Sequence, residues 1–379
     1  MKRLLKLLPA ASFFAMLFVV MTAGILQKDK TYSVTENRML QKFPKFSVKK
    51  VIKGKFQKKY ERYLSDQFLA RDLWVKLETA SEKAFGKTDA NGVYFGKDGY
   101  LLEKYTEKDF STKRVDKNID VLVKFVKKAS KTADTKVMIV PSKTYTLDCY
   151  LPAFAETYNE ELFYSKLNRK LPDNTIVPIF DILYRHREEY IFYRTDHHWT
   201  TMGAWYGYAA YLKSCGKSAQ DAKKKKKFKE VSDSFLGTTY SKVNMYTKKD
   251  VISIYEPESN MKVIYNLGEK IEDTFYQMKY IEEKDKYSIF FGGNQAVLEI
   301  SGGEKNNKTL LLIKDSFANC IIPFLAEDYE KIVVVDMRHL NVDLSVLLNK
   351  FKPTDVLVLY NTIQFMQDKE FAIKGGNDD

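Results

Sequence analysis

Histidine and cysteine are scarce in this chain. Among 379 residues there are four histidines and three cysteines. Cys149, Cys215 and Cys320 lie far apart with no Cys-x-x-Cys pair, so they offer neither a metal cluster nor a disulfide framework, and one must stay unpaired within the chain. Each falls in or beside an apolar segment, where a buried thiol is the default. No group of His, Cys and carboxylate has ligand spacing, and adjacent histidines on one loop seldom point at one ion, so neither a metal nor a cofactor is expected. The formal charge of +13 would suit nucleic acid, an anionic cell wall or a membrane. The lysine run Lys223–Lys227 has no aromatic interleaving and no nucleic-acid fold signature, and reads as a solvated, self-repelling loop.

What is present is apolar. At 45% hydrophobic, with 25 tyrosines and 25 phenylalanines, the chain can bury a large core in one domain or two. Lys2, Arg3 and Lys6 precede a charge-free run, Leu7–Leu26, about as long as a bilayer core is thick. Basic residues on the leading side predict the N-terminus inside and the rest outside. Residues 1–27 are therefore expected to be an uncleaved membrane anchor. A cleaved signal peptide, cut near Thr22 or Gly24, is the competing reading and leaves a secreted chain. Either places the bulk of the chain outside the cytoplasm, which argues further against nucleic acid.

Residues 28–54 are polar and aperiodic, and read as a linker before a domain spanning 55–379. Helical spacing of Phe56, Tyr60, Tyr63, Leu64, Phe68, Leu69, Leu73 and Leu77 predicts one helix or two, broken near Ser65–Asp66. Gly92–Leu102 reads as a hairpin with Lys97-Asp98-Gly99 at its turn. A helix follows, with Val115, Ile119, Leu122 and Phe125 on its apolar face. Lys136–Val140 is a short apolar strand, and 176–180 is expected to be another. Residues 240–300 alternate like strands at Val251–Tyr255, Met261–Tyr265 and Thr274–Met278, and suggest an antiparallel β insertion.

Then come Thr309–Ile313, Phe317–Leu325, Lys331–Val335, Leu340–Phe351 and Asp355–Leu359: strand, helix, strand, helix, strand. This pattern means right-handed crossovers and a parallel sheet, an α/β fold. Ligands bind beyond the carboxyl ends of such strands. The residues there are Lys314-Asp315-Ser316, Asp336-Met337-Arg338 and Tyr360-Asn361-Thr362, with Lys143 after the 136–140 strand. Lys143, Asp315, Arg338 and Asn361 are thus candidates to bind substrate or an oxyanion. A loop lysine, an N-cap aspartate, an Asp336–Arg338 ion pair and a turn-capping asparagine are the plainer readings.

The densest chemistry lies in Tyr193-Arg194-Thr195-Asp196-His197-His198-Trp199-Thr200, ahead of a helix that Thr200 can cap and that runs to about Cys215. A histidine beside an aspartate is a usable general base, because the carboxylate holds its tautomer and stabilises the imidazolium. Ser316, at a strand-to-helix turn, is the candidate nucleophile for it. Asp233-Ser234-Phe235 repeats the tripeptide Asp315-Ser316-Phe317, but no apolar strand precedes it.

Together, Asp196-His197-His198-Trp199, Glu36-Asn37-Arg38, Asn91–Tyr100, Val140-Pro141-Ser142-Lys143 and Lys314–Asn319 resemble the DHHW family, which is similar to SGNH-hydrolase-like alginate O-acetyltransferases. The resemblance implies an SGNH-hydrolase-like parallel sheet flanked by helices. It also implies a Ser316–His198–Asp196 triad, with His197 in a variable middle position. The implied activity is O-acyl transfer, most naturally of acetyl, to an exported or cell-envelope polysaccharide. A membrane-bound O-acyltransferase is the implied partner and acyl donor. Hydrolysis of sugar esters by the same triad, and a non-catalytic envelope scaffold for that partner, remain alternatives.

Overall fold

The computed structural model describes residues 2–374 apart from 34, 37, 219–226, 246, 259 and 341, and of residues 2–8 and 25 the backbone alone. Asn37 and most of the lysine run, Lys223–Lys226, lie outside the described residues. The chain divides into two compact units, one of Met1–Lys87 with Ser241–Tyr246, the other of Thr88–Tyr240 with Thr247–Asp379.

The first unit contains helices Lys2–Leu26, Val48–Ile52, Lys55–Asp66 and Arg71–Ala84 and a two-strand pair, Tyr32–Ser33 with Arg38–Met39. The expected helix break falls after Asp66, which is buried. Its carboxylate accepts from Arg38 (Nη1 3.0 Å, Nη2 2.6 Å) and from the Gln41 N–H (2.7 Å). This pairing ties Arg38 and Gln41, within the stretch 28–54 read from sequence as a linker, to the end of the Lys55–Asp66 helix. Among the described residues no helix is long and apolar enough to cross a membrane, so the anchor expected over 1–27 has no support there.

The second unit is built on a seven-stranded sheet: β1 (Asp134–Val140), β2 (Lys262–Tyr265), β3 (Lys270–Glu272), β4 (Val297–Ser301), β5 (Thr309–Lys314), β6 (Lys331–Val335) and β7 (Asp355–Asn361). Across the sheet the order is β3-β2-β4-β6-β5-β7-β1. The parallel part, β6-β5-β7-β1, matches the α/β expectation. Side chains alternate strictly between two buried faces. Leu310, Leu312, Ile332, Val334, Leu357 and Leu359 join one core; Leu311, Ile313, Val333, Val335, Val356 and Val358 join the other. Both faces being covered, these strands read as continuous apolar runs. Helices Thr112–Ala129 (α1) and Leu344–Phe351 (α3) pack into the second core, and Thr201–Ser214 (α2), nearly all of it buried, fills the first.

Five expectations need correction. The sheet is mixed, not parallel: of the strands expected in the 240–300 insertion, Met261–Tyr265 is β2 and extends the sheet together with β3 and β4, while Val251–Tyr255 pairs instead with Lys229–Phe235, and β4 runs antiparallel to β6 along Val297–Ser301. That pairing satisfies the N–H and C=O groups β6 would otherwise present at an open edge. Thr274–Met278 is not a strand. It makes a single bridge, Tyr276 to Phe290, and turns at Met278, because the rings of Phe275 and Tyr276 are drawn into the core. The 176–180 segment makes one parallel bridge, Ile176 to Val137, and then begins a helix at Ile179. Pro178 has no N–H for a ladder and suits a helix start. The helix expected at Phe317–Leu325 is a 3-10 turn, Ser316–Cys320, followed by Ile322–Leu325, and α3 begins at Leu344, capped by Asp343, rather than at Leu340.

Candidate active site

The Ile191–Thr200 segment doubles back on itself. Phe192 and Trp199 form an antiparallel bridge, and Tyr193 N–H donates to His198 O. Thr200 caps α2 as expected, accepting from Gly203 N–H at 3.3 Å. Trp199 is wholly buried over the glycine face of α2, and its indole N–H donates to Phe317 O (2.8 Å). A Cβ on Gly207 would lie 2.7 Å from that ring, so only glycine leaves room for it. The bond from Trp199 to the backbone beside Ser316 couples two segments 118 residues apart.

This docking brings three predicted residues into line. His198 Nε2 is 2.8 Å from Ser316 Oγ, and His198 Nδ1 is 2.6 Å from Asp196 Oδ1. The Tyr287 ring stacks on the imidazole at 3.9 Å and 12°. Asp196 Oδ2 accepts from the N–H and hydroxyl of Thr238 (2.7 and 2.8 Å). Both carboxylate oxygens are thereby used, and although burial alone would raise its pKa, His197 and His198 first and then these hydrogen bonds hold it well below the usual carboxylate range. Burial pushes His198 down to about 4, with His197 adding to the effect and Asp196 opposing it. At neutral pH the imidazole is therefore uncharged and ready to accept the serine proton.

A pH dependence follows. The rate constant kcat/KM for an activated ester is expected to be flat from neutrality down to about pH 5, then to fall about tenfold per pH unit below about 4. Folded His198 titrates below its ordinary value of about 6.5, so its contribution to stability is complete above that value and is lost as pH falls toward about 4. A pH–rate profile alongside thermal melts checks both. An acid limb centred near pH 6.5 would contradict the burial argument.

The remaining predicted residues sit around this line in other arrangements. Lys143 is buried and donates to three carbonyls of the histidine loop, Tyr193 O (3.2 Å), Arg194 O (3.3 Å) and Asp196 O (2.7 Å). It holds the loop that carries the base. Asp315 caps the turn at Phe317 N–H (2.9 Å) and accepts from Asn361 N–H (2.8 Å), and burial lifts it to about 6. Asn361 spends its side chain on Ile363 N–H and on the carbonyls of Val140 and Pro141. Arg338 grips Asp336 through Nε (2.9 Å) and Nη2 (2.6 Å). His197 bonds Thr238 Oγ1 (2.7 Å), and its ring lies 3.9 Å from that of His198. Ser234 lies within the strand Lys229–Phe235 and bonds Ser232.

Among the described residues, Asp196, His197 and His198 bring ligand-type atoms within 4.8 Å of one another. The set fits a metal poorly. Asp196 has spent both oxygens and His198 both ring nitrogens, so a cation would have to break the line to Ser316.

Four positioning residues went unnoticed in the sequence: Gly237, Thr238, Asp250 and Tyr287, whose ring stacks on His198. Gly237 and Thr238 hold the carboxylate. A Cβ on Gly237 would sit 2.3 Å from Asp196 Cβ and 2.4 Å from its Oδ2, so the Thr238 N–H reaches Asp196 only because residue 237 is glycine. Asp250 clamps the loop from outside by accepting from Thr195 N–H (2.7 Å), Arg194 N–H (2.7 Å) and Tyr190 OH (2.6 Å). The Gly237-Thr238-Thr239 step just past Ser234 was the one local signal; Asp250 and Tyr287 carry none.

Fold and site together define an α/β protein with a serine–histidine–aspartate line at the carboxyl ends of its parallel strands. Within that class the chain belongs to the DHHW family, whose model, described as DHHW protein, matches residues 91–335. A crystal structure of a DHHW family protein from Eubacterium siraeum is 24% identical, with a TM-score of 0.63, covering 76% of this chain and 96% of that one. Bacillus cereus PatB1 is 18% identical, with a TM-score of 0.59 over 74% of this chain and 98% of its own; it has also been solved with a sulfonyl adduct. The O-acetyltransferase domain of Pseudomonas putida AlgJ is 12% identical, with a TM-score of 0.44 over 76% of this chain and 99% of its own. The likenesses to the Eubacterium siraeum protein and to PatB1 establish a shared mixed α/β fold. No curated protein matches the chain.

Proposed function

We propose that this chain is an extracytoplasmic O-acyltransferase that moves an acyl group, acetyl in the simplest case, onto a hydroxyl of an envelope or exported polysaccharide. The observation that carries the reading is the unbroken line from Ser316 Oγ through His198 to Asp196, at 2.8 and 2.6 Å. Ser316 Oγ attacks the acyl carbonyl while His198 Nε2 takes its proton. The donor's oxygen leaves with that proton, and an acyl-Ser316 ester remains. A sugar hydroxyl then gives its proton to His198 Nε2 and attacks the ester; Ser316 departs and recovers the proton. Asp196 holds the imidazole tautomer and faces the transient positive charge. The backbone N–H of Ser316, first in its turn, is assigned as the oxyanion donor. Asn361 has its amide committed elsewhere and is not assigned that task.

The location rests on sequence: basic residues before the charge-free run Leu7–Leu26 favour delivery across a membrane, by anchor or by cleaved signal. A membrane-bound O-acyltransferase is the proposed acyl donor.

A sulfonyl fluoride is the direct probe, since a relative of the same fold has been captured with a sulfonyl adduct. Intact mass should show one adduct, mapped to Ser316, and acetyl-Ser316 should accumulate with an aryl acetate. Adding polysaccharide acceptors should then discharge the acetyl group onto sugar faster than onto water. Discharge to water alone would make the protein an esterase. No adduct of either kind would leave a scaffold.

A further inference from the structure

The first unit exposes what a small folded unit normally hides. Leu40, Pro44 and Val243 are the buried apolar side chains among its described residues. Meanwhile Phe43, Phe46 (72% exposed), Ile52 (80%) and Trp74 face solvent. In the helix Lys55–Asp66, Phe56 and Tyr63 mark an apolar stripe whose main cover is the rings of Phe43 and Phe46, at 5.3 Å (Phe43–Tyr63) and 5.7 Å (Phe46–Phe56). A twelve-residue helix is marginal in water without an apolar partner, and a contiguous exposed apolar face of this kind marks a docking surface.

The charge pattern names the partner. Residues 42–62 hold nine lysines or arginines and one acid, Glu61. Rings and aliphatic side chains interleaved with lysines, almost without acids, are the composition of helices that lie in the headgroup region of an anionic bilayer. The stretch also begins within about 16 residues of the charge-free run Leu7–Leu26, itself about a bilayer thickness long. We propose that the exposed face of residues 43–77 is an interfacial membrane site for anionic phospholipid, its rings seated at the acyl boundary and its lysines at the headgroups. The proposal does not depend on the acyl-transfer reading.

The protein carries its own probe. Trp199 and Trp205 are 0% and 7% exposed, whereas Trp74 is 48% exposed. Full-length protein is mixed with phosphatidylcholine vesicles containing about a third phosphatidylglycerol brominated on its acyl chains, and Trp74→Phe isolates the Trp74 emission. That emission is expected to fall to about half or less in anionic vesicles and to change little in neutral brominated ones. Replacing Lys45, Lys49, Lys50 and Lys53 by Gln, or Phe46 and Ile52 by Ser, should abolish the quenching while aryl acetate turnover is unchanged. Protein that floats with vesicles through its N-terminal segment while Trp74 stays unquenched would overturn the proposal. So would quenching that ignores lipid charge and the lysine substitutions. A soluble anionic wall polymer that binds while brominated lipid leaves Trp74 bright would assign the surface to the polymer instead. Wild-type protein that shows the expected quenching but no aryl acetate turnover would count against the acyl-transfer reading alone.

Discussion

Ser316→Ala and His198→Ala are each expected to lower kcat for an aryl acetate by about 10⁵-fold or more, and the double variant to lose no more than either single one. The hydroxyl is a poor nucleophile without a base, and His198 is the base within reach of it. Because the two act as one unit, removing either stops the same step. The fold should survive, since Ser316→Ala deletes one hydrogen bond, worth about 1 kcal/mol. His197→Ala is the contrast. Its Nδ1 meets Thr238 Oγ1 and its ring lies against His198, so it steadies the loop without touching Ser316 Oγ, and a loss of about tenfold or less is expected. Steady-state rates with thermal melts decide the matter. A His197→Ala variant as inactive as His198→Ala would exchange the two roles.

Gly237→Ala should produce the largest effect of any change away from that line. The added methyl would occupy the position of the Asp196 carboxylate, with 2.3 Å to Cβ and 2.7 Å to Cγ, contacts that real atoms do not make. Either the Gly237–Thr238 strap retreats, and Asp196 loses two hydrogen bonds, or the carboxylate turns away from His198. A displacement of about 1 Å costs roughly a hundredfold in kcat, and overpacking costs about 1–3 kcal/mol in stability. Thr238→Val removes one of the two hydrogen bonds and keeps the backbone N–H, so its expected loss is smaller, about tenfold. Wild-type kcat in Gly237→Ala would mean that the strap does not place Asp196.

The parallel strands were legible because each is buried on both faces and so reads as an unbroken apolar run between turn residues. Asp196-His197-His198-Trp199 was legible because its residue types are chemically rare and adjacent. The antiparallel strands were harder to assign. Alternation at Met261–Tyr265 identifies a strand but not its partner, and β4 was not read at all, although it joins β2 to β6 in the sheet. Thr274–Met278 alternates just as well and yet makes one bridge, since aromatic burial outweighed ladder pairing there.

The sequence by itself determined the α/β class, the cap at Thr200 and the preference for Ser316 over Ser234, while the expectation of His198 rather than His197 as base came from the family resemblance. The cap and the serine preference depend on residues within a few positions of one another, where spacing constrains geometry, and the α/β class on the succession of apolar runs from Thr309 to Leu359. Tertiary structure alone decided that Lys143 serves the loop backbone, that Asn361 is spent on Val140, Pro141 and Ile363, and that Gly237, Thr238, Asp250 and Tyr287 position the base. Those relations join segments tens of residues apart, and no spacing along a chain encodes which carbonyl a buried ammonium will meet once the strands have packed.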